Sequence, residues 1–230
     1  MKIILVRALI LWAVVSLAYF NWQSVFRLHS FLVIFPDIML LVGIPFWVHR
    51  EAVKKKIQEY KLSSIKKFFL LAYGIMLFQK MLAVIVNEFD DERGFSFTLL
   101  LLHVGQSWLF NIFVFAGVIT GLFVILRKGI LSVRESLPLI GFLALFIEKV
   151  LPYLFVKPVL FFMLAPTTVL QYFLIFIPAI YALGALPDKR DESRKKRFLL
   201  ATGVVFLCAL IPLFILGKLS VHFPGLFPAT

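Results

Sequence analysis

Long apolar runs, separated by short charged stretches, set the pattern of this chain and predict spanning helices. The runs fall at 3–20, 31–47, 68–86, 95–126, 137–155, 159–186 and 198–217. Together they predict an all-α polytopic membrane bundle of about seven transmembrane helices in a single domain. The block from 137 to 186 is too long for one span and ends at a basic stretch, so it is expected to cross twice, with a turn near Lys157-Pro158 and kinks at Pro152, Pro166 and Pro178.

The run 95–126 contains no Asp, Glu, Lys or Arg. As a helix it would reach ~48 Å, more than a hydrocarbon core of ~30 Å, so it must tilt, run on into the headgroups, or break. At ~100° per residue, His103, Gln106, Ser107 and Asn111 share an arc of about 140°, and Gly117 and Gly121 fall on the same side. The two glycines form a small-xxx-small pair that lets a neighbouring helix approach closely.

Charge orients the bundle. Of 24 Lys and Arg residues, 18 lie at the N-terminus and in three linkers assigned to the cytoplasmic side, 4 lie outside and 2 within spans. The bias predicts a cytoplasmic N-terminus, an external C-terminus and residence in the cell membrane. Ser16-Leu17-Ala18 has the form of a signal-peptidase site, but a second apolar run follows directly, and an uncleaved first span is expected. In the linker 49–67, Val53, Ile57 and Tyr60 share a helical face, so a short amphipathic helix is expected to lie on the inner leaflet with Lys54, Lys55 and Lys56 near lipid headgroups.

The net charge of +12 is explained by these linkers, and nucleic acid is not expected as a partner. Pro36-Asp37 followed by Ile38-Met39-Leu40-Leu41, after a first span and a short loop, resembles the opening of the rod-shape protein family MreD, a cell-envelope scaffold. The likeness ends near residue 50, where that family continues with glycine-rich hairpins and this chain has its lysine-rich linker, and it assigns the chain to no family.

Ionisable groups inside a membrane are costly and point to function. Counted from the outer helix ends at ~1.5 Å per residue, Asp37, Lys80, Glu148 and Lys149 lie ~9–10 Å deep and His103 ~12 Å, a layer of opposite charges suited to mutual pairing. A Lys80–Glu148 ion pair is the specific expectation. Gln106, Gln171 and Asn111 continue below as a candidate pathway.

Reaction chemistry has little to stand on. There is no HExxH, only His103 lies within a span, and Cys208 is the single cysteine, so no metal, haem or other cofactor is expected. Ser107 and His103 stand at i, i+4, but no carboxylate is placed in sequence to orient the histidine. The chain reads as a non-enzymatic membrane subunit or scaffold working with a membrane or cytoplasmic partner protein. A small transporter or substrate-binding component using the polar layer is the alternative.

Overall fold

In the computed structural model, which describes residues 3–24, 41–89, 95–184 and 193–226, the chain is helical throughout, with no strand among the described residues. Helix α1 is Ile3–Ser24, α2 is described over 41–48, and α3 is Arg50–Glu59. Then follow α4 (Ser64–Phe89), α5 (Phe97–Arg127), α6 (Val133–Ile147), α7 (Tyr153–Val156), α8 (Pro158–Leu183) and α9 (Arg194–His222). Four of these, Ser64–Glu88, Phe97–Arg127, Pro158–Leu183 and Lys195–His222, are long and apolar enough to cross a membrane. Asp37 and most of the second expected span lie outside the described residues.

Helix α5 runs unbroken for 31 residues, ~46 Å, so it exceeds an apolar slab of ~30 Å. Its glycine face packs on α9. A Cβ on Gly117 would sit 2.1 Å from Ala209 Cα, and one on Gly121 would sit 2.8 Å from Val205 Cα. The pairing of 117 with 209 and 121 with 205 makes the two helices antiparallel. Only glycine permits an approach this close.

Around the lower half of α5 lies the core. Phe68 and Met76 of α4, Phe115, Ile119, Leu122 and Ile125 of α5, Leu139 and Ile140 of α6, and Tyr172 and Phe176 of α8 are all fully buried. Large apolar side chains on the outer faces of α1 and α9, such as Leu11, Leu207, Ile211 and Phe214, remain exposed, as lipid-facing positions should.

The basic linkers meet at one end. The expected linker helix forms as α3, and Lys67 Nζ donates to the carbonyls of Ile57 (3.0 Å) and Gln58 (3.1 Å), satisfying groups that the end of α3 leaves free. Helix α3 packs on α8, bringing Arg50 and Glu51 within electrostatic reach of Tyr181. Helix α6 opens with a reciprocal cap in which Ser132 Oγ accepts the Glu135 N–H and Glu135 Oε2 accepts the Ser132 N–H. Arg197 of α9 then grips Glu135 through both terminal nitrogens, at 2.7 and 3.0 Å. The Glu135 carboxyl is held below its usual range, first by the bond from the Ser132 backbone N–H. Partial burial opposes this, while the Ser132 hydroxyl and the Arg197 guanidinium lower it further.

The expected span 137–155 is not one continuous helix. Helix α6 stops at Ile147 after 15 residues, ~22 Å. The Glu148 N–H bonds Ala144 O, the Val150 N–H bonds Leu145 O, and Lys149 between them adopts φ 55°, a left-handed turn usually given to glycine. The chain then passes through α7, and α8 starts at Pro158, where the expected turn lies and where a missing N–H costs nothing. Pro152 precedes α7, and Pro166 and Pro178 sit inside α8.

Candidate functional site

Two side chains of opposite charge meet where α6 ends. Lys80 Nζ of α4 lies 2.9 Å from Glu148 Oε1, and Tyr172 Oη of α8 donates to the same oxygen at 2.9 Å. Phe115 of α5 closes a third side, with its ring 5.9 Å from Lys80 Nζ and 5.6 Å from the Tyr172 ring. Four helices thus contribute to one cluster.

Local structure explains the pairing. Glu148 is the residue that caps α6 at its C-terminus, where the free carbonyls carry partial negative charge. A carboxylate there is unfavourable by itself. The Lys80 ammonium offsets both the carboxylate and the helix end, and the Tyr172 hydroxyl supplies a further donor. The pair is not sealed, since Lys80 keeps 17% and Glu148 28% of its side chain exposed.

Its height differs from the sequence expectation. Tyr172 stands ~16 Å from the C-terminal end of α8, and Phe115 ~18 Å from that of α5, helices of ~39 and ~46 Å. The pair is therefore near mid-height on α5 and α8, while on α4 Lys80 stands ~14 Å from the C-terminal end. The early stop of α6 leaves Glu148 level with the middle of α8.

Beside the pair, Gln79 is 3% exposed. Its Nε2 donates to Gln171 O at 3.2 Å, and its Oε1 is buried without a hydrogen-bond partner. Gln171 thus takes part through its carbonyl. Lys149 is exposed in the turn and forms no part of the cluster.

The other expected polar residues go elsewhere. His103 Nδ1 bonds the carboxylate of Glu88, which is 4% exposed at the end of α4. The expectation that no carboxylate is placed to orient His103 is thereby corrected: α4 continues to Phe89, past the expected span end at 86, and carries Glu88 with it. Gln106 Nε2 donates to Gly225 O at 2.9 Å, tying α5 to the segment after α9. Asn111 is buried but turns back on its own helix, donating to Ser107 O at 2.8 Å and standing 3.4 Å from Ser107 Oγ. A continuous line from Gln106 through Asn111 to Gln171 is not formed by these contacts.

At the basic end, Lys55 and Lys56 are exposed, Lys54 is half-buried, and Lys55 stands 3.9 Å from Glu59. Among the described residues no group of three His, Cys, Asp or Glu side chains could hold a metal ion. Tyr172 and Glu88 were missed by sequence reasoning: a tyrosine in an apolar run reads as bulk, and Glu88 reads as loop. No family model, curated protein or solved structure matches this chain.

Proposed function

We propose that this chain is an integral cell-membrane protein of seven apolar segments, N-terminus cytoplasmic and C-terminus outside. In it the basic end serves as the docking face of a non-enzymatic membrane subunit or scaffold. The observation that carries this reading is the fixing of the linkers. Glu135–Arg197 joins the second linker to the third at the starts of α6 and α9, and within the first linker Lys67 holds the end of α3 against the start of α4. A preorganised positive surface favours an acidic partner, because less ordering entropy is lost on binding. Lys54, Lys55 and Lys56 on α3 also suit anionic headgroups at the same surface.

Isolation in mild detergent at low salt tests this reading. A stoichiometric protein partner, lost when Lys55 and Lys56 are both replaced by Glu, is the expected result. Recovery of the chain alone under every salt condition would remove the docking role.

A second reading, a substrate-binding component or small transporter, is favoured by one specific observation. The Lys80–Glu148 pair sits at mid-height beside a helix that stops there, the arrangement in which interrupted membrane helices hold ligands. Native mass measurement of the detergent-purified chain tests it, and a bound small molecule released by Lys80→Met is expected.

A further inference from the structure

We infer that the cluster of Lys80, Glu148, Tyr172 and Gln79 is a binding site for a small zwitterion, a molecule carrying one ammonium and one carboxylate, as a neutral α-amino acid does. This rests on the substrate-binding reading above and names its ligand class.

Charge decides first. The pair sums to zero, and a ligand of net charge would leave one charge uncompensated in a region of low dielectric. A zwitterion replaces one internal pair by two, its carboxylate on Lys80 and its ammonium on Glu148. An anion or a cation alone satisfies only half of the site.

Hydrogen-bonding capacity points the same way. An ammonium has three donors, and Lys80 uses one on Glu148, which leaves two for a ligand carboxylate. Glu148 Oε1 already accepts from Lys80 and Tyr172, and the carboxylate retains further lone pairs. Gln79 holds a buried Oε1 with no partner, fixed in that orientation because its Nε2 donates to Gln171 O. Gln79 precedes Lys80 on α4 and bonds the residue before Tyr172 on α8, so its unmatched acceptor lies in the same layer and suits a ligand with N–H donors. The C-terminal end of α6 adds negative potential on the ammonium side.

Glu148 and Lys80 keep part of their side chains exposed, so protein does not close the pair off from a ligand.

The test is equilibrium binding of radiolabelled glycine, alanine, leucine and phenylalanine to the full chain in detergent, each beside its des-amino acid and its amide. Saturable binding of at least one amino acid is expected, with both analogues weaker by about thirtyfold or more, the loss expected when one side of a desolvated charge pair is removed. Gln79→Leu should weaken binding. The double variant Lys80→Met, Glu148→Gln, which leaves no charge stranded, should still melt cooperatively, with a smaller loss than Lys80→Met alone, and lose binding.

No saturable binding by any of the four amino acids overturns the inference. So does equal binding of either analogue, or binding that survives in the double variant. A bound molecule of another charge type in the native mass measurement would sink the zwitterion while sparing the substrate-binding reading.

Discussion

Replacing Lys80 with Met leaves the Glu148 carboxylate at the negative end of α6 with the Tyr172 hydroxyl as its remaining side-chain donor. Removing one partner of a fully buried pair costs ~3–5 kcal/mol, because the survivor stays charged in a poor solvent. Here Lys80 is 17% and Glu148 28% exposed, so incomplete burial relieves part of that. We expect ~2–3 kcal/mol for Lys80→Met, and ~2 kcal/mol for Glu148→Gln, whose amide can still accept from Tyr172. The double variant carries no stranded charge, and its loss should be ~1–2 kcal/mol, giving a coupling of ~2–4 kcal/mol. Reversible unfolding in mixed micelles of rising SDS fraction measures all four proteins. Additive losses would refute the pairing, and silence of both single variants would mean that solvent screens the two groups completely.

Gly117→Ala should cost ~1–3 kcal/mol by prising α5 from α9, Gly121→Ala should cost less, and Gly203→Ala, with nothing within 4 Å, should be neutral or slightly stabilising. The same unfolding assay ranks them, and an equal loss at all three would rule out the glycine contact. Because folding lowers the Glu135 carboxyl, its contribution is complete above the ordinary value of 4.5 and is lost as pH falls through the lower folded value. Glu135→Gln should remove that acid sensitivity from a melting-temperature profile, and an unchanged acid slope would count against it. An externally active reporter should work after Thr230 or within 90–93 and fail within 189–196, and activity at the last position would overturn the seven-segment topology.

The helices were legible where composition alone determines them. Unbroken apolar stretches gave α4, α5, α8 and α9 to within a few residues, because a long run of Leu, Ile, Val and Phe has no competing local choice. The stop of α6 was not legible: its left-handed turn falls on Lys149, a residue that announces no turn, and apolar residues continue on both sides. That stop brings Glu148 level with the middle of α8. Lys80 with Glu148 was legible from opposite charge, although the depth count behind it was not. Asn111 lies on the expected face of α5, yet a short amide reaches its own helix more readily than a neighbour, so facing direction did not become contact. Gln106 finds a carbonyl far along the sequence at Gly225, a partner that periodicity within α5 cannot indicate.

Sidedness of the basic end is the most direct test. With Cys208 replaced by Ala, single cysteines at Lys55, Lys128 and Lys195 can be probed in intact cells with a membrane-impermeant maleimide, before and after permeabilisation. All three should label only after permeabilisation, as the proposed topology, with the three linkers on one cytoplasmic face, requires. Labelling of any one of them from outside, while the others stay protected, would contradict a common docking face.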